Sequence, residues 1–395
     1  MPGHSNTGGG PALRPPPVIL QVLPALVAGG VERGTVDVAA AIVAAGWTAL
    51  VASNGGPMVR EIERAGATHV TMPVHSKNPL VMRRNIKRIA ALMDARSVDI
   101  IHACSRAPAR SAWAAARRTG RPLVTGLHGT YNASNRAKRW YNAIMARGDR
   151  VIAISDFIAE HARATYGVDE QRLRTIHRGI DTSTYEPGAV TPARMIRLAE
   201  RWRLPDGAPV VMLPGRMTRW KGHAVLIDAV ARVDRPNLRC LLVGAGTADQ
   251  RYCAALRRRI AARGLQACVA IVEHCDDMPA AYMLADVVVS ASVEPEAFGR
   301  VAVEAQAMGR PVVATDHGGA RETVMHGRCG WLVPPGDAGA TARAITEALS
   351  LDAAARADLA ATARAHVCTH FTVETMCART LDVYRELLPT PTRGR

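Results

Sequence analysis

The sequence predicts an α/β protein made of two Rossmann-like domains, each with a parallel β-sheet covered by helices on both faces. Three observations support this fold class. Short β-branched runs alternate with longer segments rich in Ala, Leu and Arg, most residues of the runs are apolar, and the runs form two successive series. A chain of 395 residues is also about two to three times the size of a typical domain.

The first series contains six predicted strands. They are Val18–Leu23, Thr48–Ala52, His69–Met72, Ile100–Ala103, Leu123–Leu127 and Arg150–Ile154. The 22 residues Val38–Val59 carry no charge, but Gly46 and Asn54–Pro57 interrupt them, which predicts a helix and a strand rather than a membrane span. Asn78–Met93 predicts an amphipathic helix whose basic residues either face solvent or meet an anionic membrane surface.

The second series contains six further strands and is followed by two helices. The strands are Pro209–Leu213, Arg239–Val243, Val269–Val272, Val287–Ala291, Pro311–Ala314 and Gly330–Val333, and the helices are Ala354–His366 and Thr372–Leu388. Asp181–Pro205 contains Pro and Gly and no strand, so we place the domain boundary there. The predicted organisation is a disordered tail over 1–16, domains over 17–190 and 191–370, and a last helix over 371–390.

The chain is strongly basic. Fifty Lys and Arg against 34 Asp and Glu give a formal charge of +16, and residues 1–190 hold 24 of the basic and 13 of the acidic side chains. This surplus indicates an anionic partner, which could be nucleic acid, an anionic membrane or a phosphorylated small molecule. A content of 48% apolar and 21% charged residues excludes a wholly disordered chain.

The turn after Val287–Ala291 carries two carboxylates. Glu296 lies on the loop and Glu304 about one turn inside the next helix, with Phe298 and Gly299 at the helix start. N–H groups at a helix start can bind phosphate or sugar oxygens, and carboxylates accept hydrogen bonds from vicinal hydroxyls. The alternative is that both are ordinary glutamates, one solvated on the helix and one in its first turn.

The turn after Pro209–Leu213 carries basic residues. Gly215 lets the backbone approach a ligand, and Arg216 and Lys221 suit a diphosphate. Lysine accounts for only four of the 50 basic residues, so Lys221 is the more informative of the two. The alternative is a surface lysine at a helix start.

Further glycine turns and a histidine lie at the same edge of the predicted sheets. Gly29-Gly30 opens a helix without the GxGxxG spacing, so a plain tight turn is an alternative. The other glycine turns are Gly244-x-Gly246 and Gly318-Gly319. His128 follows Leu123–Leu127 and is either structural or part of a site. Neither metal-ligand spacing nor a Ser/His/Asp or Cys/His arrangement is evident, so we expect no metal.

The pairing of GRMTRWKG (Gly215–Gly222) with EAFGRVAVE (Glu296–Glu304) resembles the donor site of the family 4 retaining glycosyltransferases. HRGID, ending at Asp181, is similar to the family segment that precedes the interdomain linker. The resemblance covers Val18 to Leu388. It implies the GT-B fold, in which two Rossmann-like domains face each other across a cleft and the last helix returns to the N-terminal domain.

The resemblance also implies roles. Arg216 and Lys221 would hold the diphosphate of a nucleotide-sugar donor and stabilise the leaving group, and Glu304 would bind the ribose. Glu296 would contact the transferred sugar. The other residues implied are Gly215 in the same loop, the backbone of Phe298 and Gly299 beside the sugar, His128 near the sugar and Gly30 near the phosphates. Such enzymes need neither a metal nor a cofactor, because basic side chains and helix N-termini stabilise the charge.

Three segments, KNPL (Lys77–Leu80), SRAP (Ser105–Pro108) and LHGTYN (Leu127–Asn132), resemble bacterial enzymes of lipopolysaccharide core or surface polysaccharide assembly. The resemblance implies a lipid-linked or lipopolysaccharide glycan acceptor and a cytoplasmic protein at the anionic inner face of the inner membrane. Two departures affect finer contacts. EHCDDM (Glu273–Met278) lacks the glycine expected beside the base, and Cys104 replaces an expected arginine.

The resemblance therefore implies a metal-independent retaining transferase of a hexose, with mannose from GDP-mannose as the narrower hypothesis. One alternative is a nicotinamide-dependent oxidoreductase, against which Lys221 and the missing GxGxxG argue. The other is a non-catalytic polyanion-binding protein. With 16 aromatic residues and no stacking row among them, the sequence predicts no nucleic-acid partner.

Overall fold

The computed structural model describes residues 15–27, 29–131, 135–244 and 249–389, which form two compact units. The first unit spans Met1–Gly126, Ala133–Val151 and Leu381–Arg395, and the second spans Leu127–Asn132 and Ile152–Thr380. Residues 1–14 of the predicted tail and Gly246 lie outside the described residues.

One sheet has seven strands. They are β1 (Val18–Val22), β2 (Thr48–Ser53), β3 (Thr68–Thr71), β4 (Ile100–Ala103), β5 (Leu123–Leu127), β6 (Arg150–Ala153) and β7 (Leu173–Thr175). Their order is β3-β2-β1-β4-β5-β6-β7, with parallel pairing from β3 through β5. The six strands predicted in this part of the sequence are confirmed to within one residue at each end. The sequence analysis missed β7, because its three residues (LRT) form no apolar run.

The other sheet has six strands. They are β8 (Val210–Pro214), β9 (Arg239–Val243), β10 (Val269–Val272), β11 (Val287–Ser290), β12 (Val312–Thr315) and β13 (Trp331–Val333). Their order is β10-β9-β8-β11-β12-β13 and every neighbouring pair is parallel. The direction of the strand order therefore reverses between β8 and β11, which is where open parallel sheets bind their ligands.

Helices connect these strands. They are α1 (Gly30–Ala44), α2 (Val59–Arg64), α3 (Pro79–Ala95), α4 (Arg106–Thr119), α5 (Arg136–Asn142), α6 (Asp156–Tyr166), α7 (Pro192–Trp202), α8 (His223–Val230), α9 (Gln250–Ala262), α10 (Met278–Leu284), α11 (Arg300–Ala307), α12 (Ala320–Thr323), α13 (Ala338–Leu349), α14 (Ala353–His370) and α15 (Val373–Leu387). Over the described ranges, none of these helices combines the length and the apolar character needed to cross a bilayer. The uncharged stretch Val38–Val59 divides between α1 and β2, as predicted.

The six-stranded sheet shows why most residues of its strands are apolar. Along β8, Val211 and Leu213 belong to the core on one face, while Val210 and Met212 belong to the core on the other. Successive side chains of a strand point to opposite faces, so a sheet covered by helices on both faces needs an apolar residue at every position. The predicted two-sheet α/β fold class is confirmed.

The predicted domain limits do not coincide with the limits of the two compact units. No strand lies between Thr175 and Val210 among the described residues, so the predicted boundary at 190 and 191 falls between the two sheets. The two compact units are drawn differently, since the second already includes Leu127–Asn132 and Ile152 onward. The limits 17–190 and 191–370 therefore stay a prediction.

The last helix, α15, ends in the first unit. The hydroxyl of Tyr384 lies 2.8 Å from Nδ1 of His102 on β4, and Nε of Arg150 donates to Glu386 at 2.6 Å. Tyr384 is fully buried. The predicted return of the last helix to the N-terminal part of the chain is confirmed.

Candidate active site

Two loops leave the carboxyl edge of the six-stranded sheet at its reversal point. One follows β8 and contains Gly215–Gly222, and the other follows β11 and ends at Gly299, the N-cap of α11. Because β8 and β11 are paired neighbours, residues distant in sequence meet between these loops.

Lys221 and Glu296 form an ion pair across the two loops. Nζ of Lys221 lies 2.8 Å from Oε1 of Glu296, and the side chains are only 12% and 13% exposed. The same oxygen accepts hydrogen bonds from the hydroxyls of Ser292 and Ser290. Burial alone would raise the pKa of Glu296, but the Lys221 charge and these hydrogen bonds outweigh it and lower the pKa. Glu296 is therefore ionised at neutral pH.

Glycine shapes the loop that carries Lys221. Gly222 has a φ of 74°, and a Cβ there would collide with the carbonyl oxygen of Ala291 at the end of β11. The aliphatic stem of Lys221 lies over Gly215, 3.5 Å from where a Cβ would sit. Its ammonium also lies 4.4 Å from the ring centroid of Trp220. Small residues at both ends of the loop thus let Lys221 reach Glu296.

Glu304 lies buried on α11, 8% exposed. Its Oε1 accepts from Nε and Nη2 of Arg300 at 3.1 and 2.8 Å, and its Oε2 accepts from the hydroxyl of Tyr282 at 2.8 Å. Burial and the Glu304 charge raise the pKa of Tyr282 and of the neighbouring Tyr185 well above the usual range. Glu304 is thus a fixed carboxylate rather than a solvated helix residue.

The loop before α11 is fixed through its backbone. Gly299 has a φ of 89° and starts α11, and the N–H of Gly319 donates to the Glu296 carbonyl at 2.8 Å. The ring of Phe298 is buried against Phe371, with centroids 5.5 Å apart. Phe298 therefore anchors the loop with its ring and can offer a ligand only its backbone.

Arg216 occupies the same loop as Lys221 but differs in environment. Its side chain is exposed, and no hydrogen bond or ion pair holds it to another residue in the described part of the chain. Arg216 is thus an exposed cation in the same loop as the largely buried Lys221.

His128 and Gly30 lie on other loops. His128 follows β5, and its Nδ1 lies 3.1 Å from Nη2 of Arg178. Gly30 is the first residue of α1 and belongs to the first unit. All the other predicted site residues belong to the second unit. The structure brings Lys221 and Glu296 into contact and places Glu304 on the helix that follows.

The sequence analysis missed several residues that support this site. Arg300 is four residues before Glu304, a spacing that predicts a helical ion pair. Ser290, Ser292 and Tyr282 carry no such signal, because their contacts depend on how distant segments pack. A further group, Asp156, His177 and Glu322, has potential ligand atoms within 4.8 Å of one another. We assign no metal there, since Glu322 already accepts hydrogen bonds from the start of α6 and from His177.

Comparison with known proteins supports these observations. Residues 28–184 match the family model described as Glycosyltransferase Family 4, and residues 208–350 match Glycosyl transferases group 1. A crystal structure of a glycosyltransferase from Rickettsia africae superposes with a TM-score of 0.88 at 37% identity, covering 95% of this chain and 100% of that one. Anabaena HepE in complex with UDP and glucose gives a TM-score of 0.80 at 26% identity, covering 93% and 99%.

Among curated relatives, D-inositol 3-phosphate glycosyltransferase 2 of Catenulispora acidiphila is 32% identical over 324 residues, 76% of this chain and 73% of the relative. Two parallel-sheet units with these loops define a glycosyltransferase of the GT-B fold. The chain belongs to glycosyltransferase family 4, also described as group 1. Membership of this family favours glycosyl transfer over the oxidoreductase and polyanion-binding alternatives.

Proposed function

We propose that this glycosyltransferase moves a hexose from a nucleoside-diphosphate sugar to a glycan acceptor, with retention of the anomeric configuration and without a metal. The observation that carries the proposal is the buried Lys221–Glu296 ion pair at the reversal point of the sheet, with Glu304 on the next helix. HepE, which was crystallised with UDP and with UDP-glucose, supports a nucleoside-diphosphate sugar as donor.

Lys221 and Arg216 divide the binding of the diphosphate in this proposal. An ammonium has three donors, so Lys221 can keep its bond to Glu296 and still donate to a phosphate oxygen. Arg216, which is exposed, would close on the phosphates with its planar fork. Together they would stabilise the charge that develops on the leaving diphosphate, which is the work that a bound cation does in other enzymes.

The carboxylates would bind hydroxyls. Glu304 has lone pairs beyond those used by Arg300 and Tyr282, and these can accept from ribose hydroxyls. Glu296 would accept from a hydroxyl of the transferred sugar, beside the backbone of Phe298 and Gly299. His128 would lie near that sugar and Gly30 near the phosphates.

The proposed reaction requires no nucleophile from the protein. The bond between C1 of the sugar and the diphosphate oxygen breaks, and an acceptor hydroxyl oxygen bonds to C1 on the same face. The hydroxyl proton passes to the departing diphosphate oxygen. Retention then follows from attack on the face that the leaving group vacates.

The sugar and the acceptor are the finer parts of the proposal. GDP-mannose remains our narrower hypothesis for the donor, and UDP-glucose is the alternative that HepE supports. For the acceptor we propose a lipid-linked or lipopolysaccharide glycan at the cytoplasmic face of the inner membrane. The Catenulispora relative favours one alternative, a small phosphorylated polyol such as inositol phosphate.

The test is a panel of UDP- and GDP-sugars, measured by thermal shift and by donor hydrolysis. Lys221→Ala and Glu304→Ala should abolish the response to the preferred donor, while the exposed controls Lys87→Ala and Glu347→Ala should not. NMR of the product would show whether the anomeric configuration is retained, and EDTA should leave the rate unchanged. A donor response that survives both site substitutions would exclude this site, and no response to any donor would contradict the proposed function.

A further inference from the structure

We propose that Arg178 is a positioning residue that holds His128 as the neutral tautomer with its proton on Nε2. The proposal rests on the glycosyl transfer proposed above. Nη2 of Arg178 lies 3.1 Å from Nδ1 of His128. A guanidinium has five N–H donors and no acceptor, so Nδ1 must be the acceptor and carries no proton. The one proton of the neutral ring is then on Nε2.

The segment that carries Arg178 is held on both sides. On one side, Nε2 of His177 lies 2.9 Å from Oε2 of Glu322. On the other, the N–H of Gly179 contacts Sδ of Met376 at 3.4 Å, and Ile180 forms a parallel bridge with Thr372. Residues on either side of Arg178 are therefore tied to distant parts of the second unit, which fixes the position from which Arg178 reaches His128.

Glu322, which holds His177, is itself fixed. Its two oxygens accept from the N–H groups of Asp156 and Phe157 at the start of α6, both at 2.7 Å. Burial would raise the pKa of Glu322, but the hydrogen bonds from His177 and from these two N–H groups lower it instead. An ionised Glu322 accepts only, so Nε2 of His177 is the donor. The hydrogen-bond directions at Glu322 are thus determined, and the anchored His177 is joined to Arg178 through the backbone.

The hydrogen bond from Arg178 limits what His128 can do in the reaction. With its proton on Nε2, the ring can donate a hydrogen bond to an oxygen of the transferred sugar. While Arg178 occupies Nδ1, neither ring nitrogen can accept the proton of the acceptor hydroxyl. His128 therefore orients the transferred sugar for reaction, and the departing diphosphate is the group that takes the proton.

Nitrogen-15 NMR of the histidine rings tests the tautomer without any substrate, with His128→Asn used to assign the signal. We expect wild-type His128 to show an unprotonated Nδ1 and a protonated Nε2, and Arg178→Met to shift the signal towards a mixture of tautomers. A protonated Nδ1 in the wild type would overturn the proposal, as would an unchanged signal in Arg178→Met. The NMR test remains decisive even if Arg178→Met folds poorly, because the wild-type signal alone can contradict the proposed tautomer.

Kinetics with UDP-glucose and GDP-mannose test the consequence. Arg178→Met should lower kcat by about 10- to 100-fold, the range expected for losing a charge-assisted hydrogen bond, with KM little changed. Arg178→Lys, which can still donate to Nδ1, should recover part of the rate, and binding of UDP or GDP should not change. Arg163→Met on α6, whose partner Glu170 is exposed, is the matched control. If Arg178→Met retains full kcat, the positioning role is wrong; if the wild type transfers neither sugar, the proposed function is in question while the NMR result stands.

Discussion

The Lys221–Glu296 ion pair is the residue-scale feature with the largest energetic consequence. Both side chains are largely buried, and Glu296 also accepts hydrogen bonds from two serine hydroxyls. Removing one member of a buried pair leaves the other charge without a partner, which costs more than replacing both. The pair should therefore matter for folding as well as for binding.

We predict that Lys221→Met lowers the free energy of unfolding by about 3 kcal/mol, because it leaves Glu296 as a buried, unpaired carboxylate. The double variant Lys221→Met/Glu296→Gln should be more stable than Lys221→Met alone. Urea denaturation of the four proteins in this cycle measures the coupling. Arg163→Met, which removes an exposed ion pair with Glu170, should cost less than about 1 kcal/mol. Additive effects of the two site substitutions would contradict the buried pair.

His223 gives the protein a predictable response to acid. It is fully buried at the start of α8. Burial, together with the nearby Lys221 charge, lowers the pKa of His223 to about 4. The unfolded chain, with an ordinary histidine pKa of about 6.5, therefore binds a proton at pH values where the folded protein does not.

We predict that His223 costs the wild type about 2 kcal/mol of unfolding free energy as the pH falls from 7 to 5. The stability is complete above about pH 6.5 and is lost towards pH 4, since the folded-state pKa is the lower one. His223→Phe should remove this part of the pH dependence while keeping a ring of similar size. Denaturation midpoints of both proteins at pH 7 and pH 5 test this prediction. If His223→Phe loses as much stability between these pH values as the wild type, His223 is not the source of the pH dependence.

At the scale of elements, the turn between β8 and α8 depends on Gly222. Gly222 and Gly264 have similar φ angles, 74° and 67°, so an alanine is strained to a similar degree at both. They differ in surroundings. A Cβ at Gly222 meets the backbone of Ala291, whereas a Cβ at Gly264 has nothing within 4 Å.

We predict that Gly264→Ala destabilises the protein by about 1 kcal/mol and that Gly222→Ala costs a further 1–3 kcal/mol, because β11 must move to admit the methyl group. Chemical denaturation of the two variants isolates the steric contribution. Gly222→Ala should also weaken donor binding, since Lys221 moves with the turn. Equal losses of stability would show that the contact with Ala291 can relax.

The elements divide clearly into those that sequence could predict and those it could not. Buried strands such as β4 (IIHA) and β9 (RCLLV) are mostly apolar and were predicted to the residue, whereas β7 (LRT) is short and partly polar. In the site, Lys221 and Glu296 were indicated by their loops, which follow predicted strands, and Lys221 also by the rarity of lysine in this chain. The contact of Tyr282 with Glu304 depends on how α10 packs against α11, and nothing local in the sequence encodes it. The same holds for the contact of Glu322 with α6, since it joins residues 166 positions apart.

At the scale of the whole molecule, the sequence left open which partner the basic surplus of residues 1–190 binds. On α3, Ile89 and Met93 are buried in the first unit and are not available to a membrane, whereas Leu80 in the first turn is 68% exposed. Its four basic residues, Arg83, Arg84, Lys87 and Arg88, are exposed. Apart from Leu80, α3 therefore offers lipid only its charges, and adsorption through these charges weakens with salt.

We predict that the protein sediments with vesicles containing anionic phosphatidylglycerol, and that salt at about 0.5 M releases it, because the Debye length then falls well below 10 Å. Changing the four basic residues of α3 to Ser should weaken sedimentation strongly. Changing four exposed arginines of the second unit to Ser (Arg201, Arg257, Arg258 and Arg343) alters the net charge equally and should have a smaller effect. Equal losses in the two variants would indicate a non-specific charge effect and contradict a membrane-facing α3.

The return of α15 has a consequence for synthesis of the chain. Tyr384 packs fully buried beside His102, 282 positions earlier in the sequence. On the ribosome, therefore, the N-terminal strands emerge long before the residue that completes their core. The core of the first unit therefore stays incomplete while the second unit is synthesised. It is completed only when the last helix leaves the ribosome, whatever the order in which the strands appear.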